Sequence, residues 1–344
     1  MIYEIDPLCD ARWPRLLTRH RLAGVFHSPE WLTAIRQTYG YAARALTSSP
    51  PGQELENGLV FCRVQSWLTG KRIVSVPFSD HCAPLVENAD ELACLVDGLK
   101  RECDAGAEKY IEVRPPADQI GLADFAESAK FHLHHIDLRP GLDELFNRFH
   151  LSCVRRRISR AVRADVVYEE GRTEILLKFF YQMALLTRRR QKLPPQPLRW
   201  FRNLITCLGE RLKFRLAFYA GRPIAGILTL RYRETMTYKY GFSDPSFHRL
   251  GSMQLLLWKA IQDAKAEGLT EFDLGRSDWT DEGLTKFKNR WGAICSTMSY
   301  LRYPGIFTTD KHPTLGTRIV RQLFAFAPDK ILATAGDVLY RHIA

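Results

Sequence analysis

No apolar run in this 344-residue chain reaches the ~20 residues that a membrane-spanning helix needs. The most apolar stretches, Ile224 to Leu230 and Met253 to Trp258, have the length of core strands and helix faces. The opening residues, MIYEIDPLCDARW, lack a basic segment followed by an apolar one, so no secretory leader is expected. None of the 8 cysteines forms a C-x-x-C pair and none has a histidine at zinc-ligand spacing, so no metal site is expected. Several thiols fall in apolar segments, where they act as small hydrophobes, and a reducing cytoplasm is the expected setting. A G-x-S-x-G elbow is missing too, which argues against a serine hydrolase. Acidic residues are in the minority, 38 against 49 Lys and Arg, for a net charge of +11. Such a surface favours anions: nucleic acid, a phosphorylated sugar or lipid, a CoA pyrophosphate or an anionic membrane face.

What is present suffices for two cores, with 46% hydrophobic and 25% charged residues over a length that exceeds one average domain. In the second half, Leu212 to Tyr219, Ile224 to Arg231 and Thr235 to Phe242 are rich in strand formers and joined by short turns. An antiparallel meander follows from those links. Over Gly251 to Glu267, residues Met253, Leu256, Leu257, Ala260, Ile261 and Ala264 recur at helical spacing, and Gly268 ends the helix. Glu271 to Leu274 then forms a strand entering Gly275.

The first half repeats this order. Tyr41 to Thr47, Gly58 to Trp67 and Arg72 to Phe78 read as strands. A helix capped by Asn88 and Glu91 carries Leu92, Leu95, Val96, Leu99 and Cys103, and Tyr110 to Val113 closes the set. An offset of about 160 residues between matching elements points to duplication. Helices around Trp31 and Trp200, and strands at Phe131 to Leu138 and Thr297 to Tyr303, extend the match. The expected division is a first half over 1–140, a second over 141–305 with a helical insert at 141–210, and an amphipathic helical tail over 306–344. In the insert, His150 to Arg163 puts Arg156, Arg160 and Arg163 on one face and Val154, Ile158 and Ala161 on the other. Thr173 to Gln191 is a second helix, and the tail reads as helices at Ile319 to Phe326 and Lys330 to Ile343.

FHSPEWLTAIRQTYGY at 26–41, VPFSDHCAPL at 76–85, CVRRRISRA at 153–161 and TRRRQKLPPQP at 187–197 resemble segments of Fem/BioF-like acyltransferases of the GNAT superfamily. YKYGFSDPSFHRLGSMQLLLWKAI at 238–261 and FDLGRSDWTDEGLTKFKNRWGA at 272–293 do so as well. The resemblance spans roughly 26 to 303. It implies an α/β (α+β) fold of tandem GNAT-like halves, each a mixed, mostly antiparallel sheet flanked by helices. It also implies direct transfer of an acyl group from an activated donor to an amine, on a sugar or cell-envelope precursor. Relatives are often encoded near exopolysaccharide export genes. Acyl-CoA is the expected co-substrate, with no permanently bound cofactor and no DNA partner. Two alternatives stand: a Fem-like user of aminoacyl-tRNA, and a non-catalytic scaffold whose basic tail touches the inner membrane. The chain lacks the long coiled-coil insertion that many tRNA users carry.

By this resemblance the lysine of the Phe287-Lys288 pair lies near the donor carbonyl, where a cation stabilises the tetrahedral intermediate. Asp273 and Asp278 bracket a strand end and are candidate bases; Asp273, inside an apolar strand, calls for a partner such as Arg276. Tyr238, Tyr240 and Ser243 lie on the strand beside which a GNAT sheet opens, and alternation puts Tyr238 and Tyr240 on one face. A CoA-binding GNAT loop reads [Gln/Arg]-x-x-Gly-x-[Gly/Ala]; here it is His248-Arg249-Leu250-Gly251-Ser252-Met253, of which Gly251 alone matches. Gly275, Arg276 and Lys286 complete the donor side. Ser79-Asp80-His81 and the arginines Arg155, Arg156 and Arg160 are candidates for the acceptor or another anion. For each, a structural role competes: a turn, a solvated helix face, core packing, or a buried ion pair.

Overall fold

The computed structural model describes residues 1–116, 122, 124–305 and 324–342, which divide into two compact units. Unit 1 comprises the described residues of Met1–Phe131, Thr297–Lys311 and Arg341–Ala344; unit 2 comprises those of His132–Ser296 and His312–Tyr340.

The chain begins in unit 1 with β1 (Tyr3–Ile5), α1 (Arg12–Arg19), α2 (Pro29–Tyr39), β2 (Ala43–Thr47), β3 (Leu59–Ser66), β4 (Gly70–Val74), α3 (Ala89–Asp104) and β5 (Ile111–Val113). It passes to unit 2 along β6 (Ala126–Asp137). There follow α4 (Leu142–Arg148), α5 (Arg156–Arg163), β7 (Val167–Gly171), α6 (Glu174–Gln191), α7 (Leu198–Leu208), β8 (Leu212–Tyr219), β9 (Arg222–Tyr232), β10 (Thr235–Ser243), α8 (Ser252–Ala266), β11 (Glu271–Asp278) and α9 (Glu282–Asn289). The chain returns along β12 (Ile294–Tyr303), and α10 (Asp329–Leu339) belongs to unit 2.

Each unit builds the same sheet. In unit 1, β1, β2, β3 and β4 pair antiparallel in sequence order, and β4 pairs parallel with β5 across α3. In unit 2, β7, β8, β9 and β10 pair antiparallel, and β10 pairs parallel with β11 across α8. The duplicated order of strands and helices expected above is therefore present. The closing strands come from elsewhere in the sequence: β12 pairs antiparallel with β5 through Leu301↔Val113, and β6 lies beside β11. Each compact unit is thus discontinuous in sequence, unlike the contiguous halves expected over 1–140 and 141–305.

Local chemistry explains most boundaries. Asn88 caps α3 by accepting from the Glu91 N–H, while the Glu91 carboxylate reaches back to the Glu87 N–H. Leu92, Leu95, Val96 and Leu99 of α3 are buried, as are Leu256, Leu257, Ala260, Ile261 and Ala264 of α8. Gly268, at φ 74°, supplies the left-handed residue just past α8. β4 ends at Val74, short of the expected Phe78, because Val76 and Phe78 take positive φ and turn the chain. The segment 151–163 is not one helix: a π turn over Leu151–Arg155 precedes α5. Val154, Ile158 and Ala161 are buried as expected.

The expected helical insert also contains the edge strand β7, whose Glu169 and Glu170 hide the strand pattern. Strand β1 and helices α1 and α4 were likewise not anticipated. In the tail, α10 occupies much of Lys330 to Ile343, and residues 319–323 of the other expected helix lie outside the described residues. Gly336 of α10 sits where a Cβ would collide with the Pro195 carbonyl, so the helix packs closely on its own unit. Among the described residues no helix is long and apolar enough to cross a membrane.

Candidate active site

The parallel ladder between β10 and β11 stops at Thr237↔Asp273, although β10 runs on to Ser243 and β11 to Asp278. Beyond that pair the two strands part. Two irregularities accompany the opening. β10 shifts register against β9 between Tyr238 and Tyr240, and β11 bends at Gly275, where φ is 70°. The buried Asp273 carboxylate fixes the bend by accepting the Gly275 N–H at 2.6 Å.

Lys288 of α9 reaches this bend. Its side chain is buried, 2% exposed, and its Nζ donates to the Gly275 and Arg276 carbonyls, both at 2.8 Å. Successive carbonyls of a regular strand point to opposite edges; the positive φ of Gly275 lets two of them converge on one ammonium. The structure therefore gathers Asp273, Gly275, Arg276 and Lys288 at one place. Asp278 is exposed at the end of β11, and Lys286 is exposed on α9, paired with Glu282 at 2.7 Å.

Tyr238 and Tyr240 do not share a face, contrary to simple alternation, because the register shift lies between them. Tyr238 packs against the cluster that contains Leu256, Ile261 and Phe272. Its ring lies where a Cβ on Gly241 would be, and burial pushes its phenol pKa up. Tyr240 faces α7, where its hydroxyl oxygen accepts from Trp200 Nε1–H at 3.0 Å and its ring meets Phe201 edge-on at 5.5 Å.

Ser243, at the end of β10, bonds His248 Nε2 through Oγ at 2.9 Å. Burial, then the charge of Arg190, holds the His248 imidazole below its usual pKa, with Asp244 opposing. The loop from His248 to Gly251 is tied to α5: Arg157 donates to the His248 carbonyl at 3.3 Å and Arg160 to the Arg249 carbonyl at 3.0 Å. Gly251 is buried in the left-handed region, and a Cβ there would strike the Arg157 carbonyl oxygen. Ser252 and Gln254 are buried as well. The start of α8 thus packs closely against α5 at Gly251. Of the other expected anion ligands, Arg155 lies over the Phe146 ring at 5.3 Å, and Arg156 is exposed.

Residues 149–289 match the family of acetyltransferase (GNAT) domains. That match lies wholly within unit 2. None of the curated proteins compared by sequence matches the chain. Among solved structures, FemX is similar over 86% of this chain and 96% of its own, at 14% identity and a TM-score of 0.67. A tandem GNAT protein from the clavulanic acid biosynthesis pathway is similar over 88% and 97%, at 8% identity and a TM-score of 0.56. The C-terminal domain of a putative lysylphosphatidylglycerol synthetase from Agrobacterium fabrum is similar over 72% and 81%, at 15% identity and a TM-score of 0.50. At these identities the likeness is one of fold: a tandem GNAT architecture.

The GNAT-like sheet of unit 1 does not part in the same way. The Ser75 N–H bonds the Glu112 carbonyl at 2.8 Å to complete the pair Val74↔Glu112, and past it a side chain bridges the strands, Ser75 Oγ accepting the Arg114 N–H at 2.9 Å. The buried Arg114 guanidinium then takes the Val76 and Ser79 carbonyls, both at 3.4 Å. Ser79 is buried, and its hydroxyl donates into its own turn at the Val76 carbonyl, 2.6 Å away. The Asp80 carbonyl accepts Tyr300 Oη–H at 2.8 Å, and His81 lies edge-on to Phe26 at 5.4 Å. Sequence reasoning did not single out Ser277 and Thr285 of unit 2. Ser277 Oγ on β11 and Thr285 Oγ1 on α9 are buried with no hydrogen-bond partner, a state that a bound ligand or water would relieve. His134 of β6 bonds Asn289 Oδ1 at 3.0 Å, and burial together with Lys288 lowers its pKa to about 4. Alternation separates His134 from His135 but leaves it on the face of His132, so the sequence alone does not single it out.

Proposed function

We propose that unit 2 transfers an acyl group from an activated donor directly to an amine, with no acyl-enzyme intermediate. The observation that carries this reading is the parting of β10 from β11 beside a buried ammonium. A carbonyl entering the opening would meet the cation of Lys288, which stabilises the negative oxygen as the amine adds and the tetrahedral intermediate forms. Collapse of that intermediate breaks the bond to the leaving group and leaves the amide. The attacking nitrogen must shed a proton, and Asp278, at the exposed end of β11, is the carboxylate assigned to take it. Asp273 has the different role of holding the Gly275 bend. Tyr240, braced by Trp200, lines the β10 side.

The donor is an ester or thioester. Burial of Gly251 and Ser252 under α5 favours an aminoacyl ester, as in a Fem-like reaction on aminoacyl-tRNA, over acyl-CoA. The acceptor is an amine on a sugar or envelope precursor. Transfer is tested by incubating the chain with labelled aminoacyl-tRNA or acetyl-CoA and amino-sugar acceptors, then following amide formation. Turnover with aminoacyl-tRNA that collapses in Lys288→Ala supports the reading. Wild-type turnover in that variant removes Lys288 from the mechanism, and turnover with acetyl-CoA alone overturns the donor assignment.

A further inference from the structure

A cleft of about 430 Å³ in unit 2 is lined by Arg148, His150, Lys286, Asn289 and Arg290. Its two walls are locked together. The His150 N–H donates to the Arg290 carbonyl at 2.9 Å, and Phe149 packs on the fully buried Trp291 at 5.0 Å. What the lining offers is one-sided. Arg148, Lys286 and Arg290 can only donate. His150 Nδ1 accepts from the Cys153 N–H at 3.3 Å, so a neutral ring carries its proton on Nε2. Asn289 Oδ1 is taken by His134 Nε2 at 3.0 Å, which leaves the Asn289 amide NH₂ as the group for a ligand. His134 is the positioning residue for that amide; its low pKa keeps the ring neutral, with Nε2–H as donor.

Acidic groups flank the cleft without lining it. Glu144 pairs with Arg148 and Glu282 with Lys286, both as i,i+4 surface pairs with more than half of each side chain exposed. Such pairs are worth about 0.5 kcal/mol or less, so an incoming anion can take over the cations. Arg290 has no ion pair among the described residues. A cavity with three cations, two further donors and no carboxylate in its lining suits an anion with several acceptor oxygens spread over a tetrahedron.

We infer that this cleft binds the phosphoryl group of a small-molecule substrate. The inference deepens the transferase reading, since the cleft adjoins Lys288 in sequence through Asn289, but its test needs no turnover. Titration calorimetry of the intact chain with inorganic phosphate and with pyrophosphate at low salt reads binding directly. The expected result is saturable binding that weakens with added salt, with the tighter anion showing whether one phosphoryl group or two are held. Arg290→Ala should raise Kd about tenfold. Asn289→Asp, which keeps an oxygen toward His134 but puts a negative charge in the cleft, should raise it further. Arg202→Ala, an exposed arginine on α7, should leave it unchanged. Circular dichroism melts establish that the variants fold. No binding of either anion at millimolar concentration, or wild-type Kd in both cleft variants, overturns the assignment. Loss of transfer in Lys288→Ala with pyrophosphate binding intact would leave the cleft standing by itself.

Discussion

The Lys288 ammonium holds the Gly275 carbonyl at 2.8 Å and takes the next carbonyl, that of Arg276, at the same distance. Removing the charge therefore has two separable effects. Lys288→Met keeps the volume of the side chain and strands two carbonyls, one buried and one partly buried, at about 1–3 kcal/mol for each that finds no water. A fall in melting temperature of several degrees is expected, measured by circular dichroism. Transfer by the folded fraction should fall at least about 100-fold. A variant that melts lower but keeps its turnover would reduce Lys288 to a structural clamp.

The bend itself can be tested without touching the lysine. Gly275→Ala forces a side chain to φ 70°, costing ~1 kcal/mol or more, and turns one carbonyl away from Lys288. Turnover should fall together with stability in this variant. A Gly275→Ala chain of wild-type stability would show that the positive φ is not required.

Acetyl-CoA should not stabilise the chain. Its usual phosphate seat at the start of α8 lies under α5, and Gly251→Ala, which drives a methyl into the Arg157 carbonyl, should destabilise the fold by ~2 kcal/mol or more. Thermal-shift measurement with acetyl-CoA and CoA gives the check. A shift of several degrees that disappears in Arg157→Ala would show that the loop binds CoA after all.

The element order was legible in the sequence because each half alternates strands of strong β propensity with a helix of clear 3.6 period, and turns such as Gly221-Arg222-Pro223 mark the joints. The opening near Tyr240 could also be anticipated. The facing of Tyr238 could not, since a single register shift reverses alternation and leaves no mark in the pattern of residue types. Burial of Lys288 was hidden for a similar reason. KFKNR reads as a solvated basic stretch, and only the carbonyls gathered at Gly275 make a buried ammonium tolerable. The closing strands were legible as strands but not as partners. Nothing in SYLRY reveals that it will pair with Ile111 to Val113, because pairing across so many residues is set by tertiary packing.

His27 provides a test in unit 1. Its Nδ1 accepts the Gly24 N–H at 3.0 Å and its Nε2–H donates to the Ala83 carbonyl at 2.8 Å, which fixes the neutral tautomer. Burial lowers its pKa from 6.5 to about 4, and protonation would have to displace the Gly24 contact. Between pH 6.5 and about 4 the unfolded chain binds a proton that the folded chain refuses. Stability is therefore full above the unfolded value and is lost as the pH falls through this window, by up to roughly 3 kcal/mol from this one group. Urea unfolding at pH 7.5 and 4.5 should show the loss in the wild type. His27→Gln, which can still donate to Ala83 but does not titrate, should start less stable and lose about one proton's worth less on acidification. Equal losses in the two chains would show that His27 is not the group that titrates.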